Sequence, residues 1–153
     1  MTEPQHVFSS DLPYEQARIG AVAVYCSDGR FGEQFDDFLY SGLELPRYDR
    51  LAVPGGAACL AGHFTADRDG DTLASQLEFL ICVHDLRRVI LIAHEGCAFY
   101  TERLGVSPID LVSKQLEDLF ETTERVRGLH SELVVEAYFA RRKNGNVCFE
   151  RVI

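Results

Sequence analysis

Arg18-Ile19-Gly20-Ala21-Val22-Ala23-Val24-Tyr25 is a short, almost continuously apolar run rich in β-branched side chains. Such a run reads as a strand buried on both faces, the pattern of a parallel sheet. The next apolar segment, Phe31 to Tyr40, carries Phe31, Phe35, Phe38 and Leu39 at helical spacing, so it predicts a helix that packs a phenylalanine stripe inward. Leu51-Ala52-Val53 is a second short strand, ended by Pro54-Gly55-Gly56. After a polar loop from Gly62 to Gly70, expected to be mobile, Thr72 caps a helix that runs through Leu73, Leu77, Leu80, Ile81 and His84.

Val89-Ile90-Leu91-Ile92-Ala93 is the clearest buried strand of the chain. Ser107-Pro108 opens another helix, Ser as cap and Pro in the first turn, with Ile109, Val112, Leu116, Leu119, Phe120 and Val126 as its apolar face. Leu133 to Ala140 and Val147 to Val152 flank Lys143-Asn144-Gly145-Asn146, a strong hairpin signal. Strand–helix alternation closed by a hairpin predicts an α/β domain. Its central sheet is mainly parallel and flanked by helices, with an antiparallel C-terminal hairpin strand. Residues 1–17 read as an N-terminal arm and residues 18–153 as a single domain.

The chain has 153 residues, 46% hydrophobic and 25% charged, an ordinary balance for one globular domain with its own core. Its 15 basic against 24 acidic residues leave a net charge of −9, which repels phosphate backbones and anionic membranes. Nucleic acid and membrane partners are therefore not expected. The local basic run Leu86-Arg87-Arg88 reads as a solvated helix end. No stretch approaches the roughly 20 apolar residues that span a bilayer. Met1 to Asp11 lacks the layout of a signal peptide, so a cytoplasmic location is expected. Five cysteines, an odd number without small-scaffold spacing, fit reduced thiols and metal binding rather than a disulfide framework. Cys59, Cys82 and Cys148 have no partner at metal-site spacing and read as small buried hydrophobes. His84 is expected on its helix face, and His6, His63 and His130 lie in polar stretches.

Two chemical motifs stand at strand ends. Cys26-Ser27-Asp28-Gly29-Arg30 follows the first strand, and His94-Glu95-Gly96-Cys97 follows the strand at Val89. In open α/β sheets the carboxyl ends of the strands meet at one crevice, so Cys26 and His94 can converge across the 67 residues between them. Two thiolates and an imidazole make three of the four ligands of a tetrahedral zinc, and a fourth position left to water marks a catalytic metal. Two thiolates cancel the formal charge of Zn²⁺, so such a centre acidifies water less than an all-histidine site and needs help from its neighbours. Asp28 offers a hydrogen-bond acceptor, and Arg30 can hold it ionised and correctly turned. An Asp28 without that partner would instead close the fourth position itself.

Cys-x-Asp-x-Arg followed by His-x-x-Cys, each after a hydrophobic strand, resembles the β-class carbonic anhydrases, and the likeness runs from about Arg18 to the C-terminal hairpin. It implies Cys26, His94 and Cys97 as zinc ligands, with Asp28 and Arg30 as the catalytic dyad. It further implies a homodimer or larger assembly, and reversible hydration of CO2 to bicarbonate and a proton. Some positions depart from the family's pattern. Gly29 stands where Ser or Ala is usual, and Val53-Pro54-Gly55-Gly56 replaces an Arg-Asn pair followed by small residues. Ala98-Phe99-Tyr100 follows the last ligand where Gly is usual, and the N-terminal helical arm is shortened. There is no match to the Gln that often contacts bicarbonate. These departures leave the three ligand positions intact and reshape the pocket around them.

Three rival readings compete with CO2 hydration. The first is a zinc hydrolase acting on the linear molecules COS or CS2, kept open by the altered pocket near Gly55, Gly56 and Phe99. The second is a non-catalytic protein that keeps zinc for structure, or binds a small anion in a closed site. The third is a cysteine phosphatase or rhodanese-like transferase, but the phosphatase loop needs Arg six residues after its Cys, where this chain has Gly32.

Overall fold

The computed structural model describes residues 1–153 and places a five-stranded sheet at the centre of the chain. The elements in order are β1 (Ala21–Cys26), α1 (Gly32–Asp37), β2 (Asp49–Val53), α2 (Asp67–His84), β3 (Arg88–His94), α3 (Leu111–Arg127), β4 (Val134–Lys143) and β5 (Asn146–Arg151). Strand order is β2-β1-β3-β4-β5; the first four run parallel, and β5 returns antiparallel to β4. The mainly parallel α/β architecture legible in the sequence is the one observed. The β4–β5 turn puts both Asn144 (φ 51°) and Gly145 (φ 80°) in the left-handed region, the type I′ geometry that Asn-Gly favours.

Alternation along the strands divides the core into two faces. Val22, Val24, Val89, Leu91, Ala137 and Phe139 point to one side, where Leu73, Leu77 and Ile81 of α2 and Leu119 and Val126 of α3 cover them. Ala21, Ala23, Tyr25, Ile90, Ile92 and Tyr138 point to the other, under Phe31, Phe35 and Leu39. The larger apolar side chains among these contribute about 2 kcal/mol each when fully buried. A third, small cluster of Cys26, Ala58, Cys97, Tyr100 and Leu111 lies at the carboxyl end of the sheet. The chain runs left from β1 to β2 and right from β1 to β3, so the crevice of an open sheet falls between the ends of β1 and β3.

Several local expectations are corrected. β1 begins at Ala21 rather than Arg18, and the helix expected over Phe31–Tyr40 is α1 plus a π-type turn over Phe38–Gly42. The loop Gly62–Gly70 is mostly structured: a 3-10 turn spans Phe64–Ala66 and α2 begins at Asp67. Thr72 is thus inside α2, where its hydroxyl donates to the Arg68 carbonyl (2.9 Å) instead of capping. Ser107-Pro108 forms a turn ahead of α3, which starts at Leu111. Of the apolar face expected for α3, Val112, Leu116, Leu119 and Val126 pack on the core, but Ile109 and Phe120 are exposed, and the polar Gln115, Asp118, Thr122 and Thr123 are buried. Of the three unassigned cysteines only Cys59 is buried; Cys82 and Cys148 are exposed. His84 is half-buried and bonds Asp49 (2.5 Å), tying the end of α2 to β2. Residues 1–20 carry no helix or strand and leave Val7, Phe8, Leu12 and Tyr14 exposed. No helix is long and apolar enough to cross a membrane.

One ion pair inside the sheet makes a pH-dependent contribution. Glu136 on β4 accepts hydrogen bonds from Arg88 on β3 (2.5 Å) and from the Tyr138 hydroxyl (3.0 Å). Burial pushes the Glu136 carboxyl up, but Arg88, Tyr138 and the charge of Arg151 outweigh it and hold the group below its ordinary value. A depressed folded pKa adds stability that is present above the unfolded value and is lost as pH falls through the folded one. Glu136→Gln is therefore expected to lower the urea midpoint at pH 7, and the gap to the parent protein should narrow at pH 4. A gap that stays constant between the two pH values would remove Glu136 from the acid transition.

Candidate metal centre

Cys26 is the last residue of β1 and His94 the last of β3, so the sheet itself sets their separation. They arrive from opposite sides. His94 follows the Ile90–Ile92 face and packs at a tilt against Phe31, centroids 4.3 Å apart, whereas Cys26 belongs with Ala58, Cys97 and Tyr100. A turn through Gly96 (φ 69°) carries the chain from His94 to Cys97. The result is a buried group in which Cys26 Sγ, Cys97 Sγ and one ring nitrogen of His94 all lie within 4.8 Å of one another.

The Val53–Gly56 turn closes one wall. Gly56 has φ 54°, and a Cβ added there would lie 2.7 Å from the Cys26 nitrogen and from the Tyr25 carbonyl carbon, so only glycine lets this turn lie flat on the end of β1. At Gly55 the same construction would meet the Phe99 ring at 2.5 Å. Pro54-Gly55-Gly56 and Phe99, all departures from the pattern of the resembled family, thus form one packed wall. The site opens through a cavity of about 400 Å³ lined by Ser27, Asp28, Arg30, Pro54, Phe99 and Arg103. A neighbouring cavity of about 460 Å³, floored by Cys59 and Leu73, lies against Phe99 and Pro54 and is not lined by Cys26, His94 or Cys97.

The donor set fits a zinc ion on three counts. Cys26 Sγ and Cys97 Sγ are 3.9 Å apart, close to the edge of about 3.8 Å of a tetrahedron with Zn–S bonds of about 2.3 Å. His94 Nδ1 lies 2.9 Å from the Glu95 carbonyl, so it carries the proton and donates, which leaves the Nε2 lone pair free. That Nε2 is buried without any hydrogen-bond partner, an arrangement that costs stability unless something fills it. The two sulfurs are close enough for one thiol to donate to the other. The Cys97 S–H, opposed by burial and helped by the adjacent His94 ring and the backbone N–H groups of Asp28 and Gly55, holds the Cys26 thiol well below its usual range. The Cys97 thiol is pushed up in response, although the Phe99 and Tyr100 N–H groups also face it.

Asp28 and Arg30 meet at the mouth. Arg30 donates to Asp28 through Nε (3.0 and 3.2 Å) and Nη2 (2.7 Å), and its backbone N–H adds a further bond at 3.0 Å. This fork lowers the Asp28 carboxyl to about 2 and turns it toward the guanidinium.

Behind the cluster lie residues the sequence did not single out. Gln115, fully buried, donates to the His94 carbonyl (2.8 Å) and so pins the end of β3. Asp118, one turn further along α3, accepts from His63 (2.6 Å), and Thr122 donates to the Ala57 carbonyl (3.1 Å). Polar residues at 115, 118 and 122 share a helical stripe with Leu111 and Leu119, and that spacing was the available signal.

Fold and cluster together define a β-carbonic-anhydrase-like α/β protein. The sheet is similar to that of the wild-type β-carbonic anhydrase CafD of the filamentous fungus Aspergillus fumigatus. The TM-score is 0.54 at 12% identity, over 95% of each chain. A cysteine-to-alanine mutant of CafD gives 0.55 at 13% identity over 90% of this chain and 91% of that one. CafA of the same fungus gives 0.51 at 15% identity over 89% and 77%. At such identities the likeness is one of fold. Comparison with curated protein sequences finds no match. Residues 17–151 match the model of the family described as "Putative carbonic anhydrase", and the chain belongs to that family.

Proposed function

We propose that this protein is a zinc-dependent hydratase that interconverts carbon dioxide and bicarbonate, with Cys26, His94 and Cys97 holding the metal. The observation that supports this best is the buried convergence of two sulfurs and an unpartnered His94 Nε2, with a forked Asp28–Arg30 pair at the open side. Zinc bound by such residues supplies a Lewis acid that makes water nucleophilic near neutral pH.

The chain's own groups supply orientation and charge. Asp28, ionised across the physiological range, accepts a hydrogen bond from the attacking water and so aims its lone pair at the carbon of CO2. Arg30 holds that carboxylate in a two-pronged fork, which fixes its orientation. Phe99 and Pro54 give the mouth an apolar side suited to a neutral linear substrate, while Ser27 and Arg103 offer donors to the anionic product.

CO2 hydration by stopped flow on zinc-verified protein tests this reading. Turnover is expected at both pH 7 and pH 9, because Arg30 holds Asp28 throughout that range. Absence of turnover at both values, with zinc present, would overturn it. Asp28→Asn keeps the shape and loses the charge; it should retain zinc while the rate falls about 10²-fold, the usual size of a positioned acid–base group. Undiminished turnover in that variant would remove Asp28 from the chemistry.

A further inference from the structure

Three residues, Pro54, Phe99 and Arg103, line both cavities at the open side of the cluster. On one side of them the mouth, about 400 Å³, reaches Cys26, Ser27 and Asp28. On the other the second cavity, about 460 Å³, reaches Cys59, Leu73 and Val53. The shared residues are therefore the partition between the two spaces, and each is held in place by a neighbour. The half-buried Phe99 ring lies against Gly55, where a Cβ would meet it at 2.5 Å. The Cys59 thiol donates weakly to the Pro54 carbonyl (3.8 Å), and Arg103 Nη2 donates to the Asp69 carboxylate (3.2 Å). A triatomic substrate needs only the mouth, so CO2 hydration leaves the apolar space behind Phe99 unused.

We propose that Phe99 is a specificity-determining residue: its ring shuts the second cavity off from the mouth, and that cavity is a latent subsite for the aliphatic tail of a carboxylate ligand. The head of such a ligand belongs in the mouth, beside the metal and the Arg103 guanidinium that borders both spaces. Its tail belongs against Val53 and Leu73, where each methylene taken out of water is worth about 4-fold in affinity. With the ring in place the tail has no route from the mouth to that surface, and only small ligands reach the metal. Phe99 thus selects by exclusion rather than by contact with the reacting atoms. This inference rests on the zinc reading of Cys26, His94 and Cys97.

The test is titration of the cobalt(II)-loaded protein with acetate and with hexanoate, followed in the visible spectrum of the metal. In the parent protein hexanoate should bind no tighter than acetate. In Phe99→Ala the affinity for hexanoate relative to acetate should rise about 10-fold or more, since four further methylenes gain apolar surface. Phe99→Leu should shift the ratio in the same direction by less, and it serves if Phe99→Ala fails to fold. Gln76 is exposed on α2 and lines the second cavity, so adding Gln76→Phe refills that space and should cancel the gain. A parent protein that already prefers hexanoate would overturn the proposal. So would Phe99 variants that bind hexanoate no better than the parent, or a gain that survives Gln76→Phe, which would mean general loosening of the site. A parent protein that takes up no cobalt would instead sink the metal reading on which the proposal depends.

Discussion

His94→Ala is expected to leave a folded protein that holds no zinc and hydrates CO2 only at the background rate. His94 is 1% exposed, its Nδ1 is committed to the Glu95 carbonyl, and its Nε2 has no partner but the position between the two sulfurs. Removing the ring takes away one of three protein donors and the packing against Phe31, and the two sulfurs alone form an open pair. Cys26→Ser and Cys97→Ser should give the same result with less loss of packing, because a serine hydroxyl stays protonated where a thiol ionises for the metal. Metal content by atomic absorption, with circular dichroism to confirm folding, measures this directly. Stoichiometric zinc retained in all three variants would overturn the ligand assignment.

The second large effect is expected from a residue with no functional group. Gly56→Ala places a methyl 2.7 Å from backbone atoms of Tyr25 and Cys26, neither of which is a flexible side-chain tip that can swing away. The left-handed conformation adds its own cost of about 1–2 kcal/mol for a residue with a Cβ. Overpacking against a strand end adds a comparable amount, for a total on the order of 3 kcal/mol. Relief requires the Val53–Gly56 turn to lift from β1, which withdraws the Gly55 N–H from Cys26 and moves the Phe99 wall. Gly56→Ala should therefore lower the thermal midpoint and weaken zinc binding together. A variant with parental melting and parental metal affinity would show that the turn gives way at little cost. Gly29→Ala, with open space around its Cβ position, is the matched control.

Where side-chain chemistry and strand periodicity coincide, the sequence was easy to read. β1 and β3 are legible because nearly every residue along their length is apolar, which only a strand buried on both faces requires. The convergence of Cys26, His94 and Cys97 is legible because Cys26 and His94 end those strands and Cys97 lies three residues beyond. The hairpin is legible because Asn144-Gly145 has few other uses. The start of α2 was missed because Asp67, Arg68 and Asp69 look like loop residues, although acidic side chains suit a first helical turn. The buried face of α3 was only partly legible: Val112, Leu116, Leu119 and Val126 do pack on the core, but Ile109 and Phe120 are exposed, and tertiary contacts bury Gln115, Asp118 and Thr122 as well. His63 lies 55 residues before its partner in a polar stretch, and no local pattern announces a pairing of that kind.

The crevice between β1 and β3 has a consequence for the order of events in the life of the chain. One thiol ends the first strand, and the imidazole and second thiol arrive only after two helices and two further strands have been made. No contiguous fragment shorter than Cys26–Cys97 contains the full set, and the set converges only when β3 docks beside β1. During synthesis the emerging chain thus carries isolated donors first, and three convergent ones only once β3 has paired with β1. Under the zinc reading, occupancy would become a record of assembly: an ion retained at this crevice would certify that strands far apart in the message have found each other.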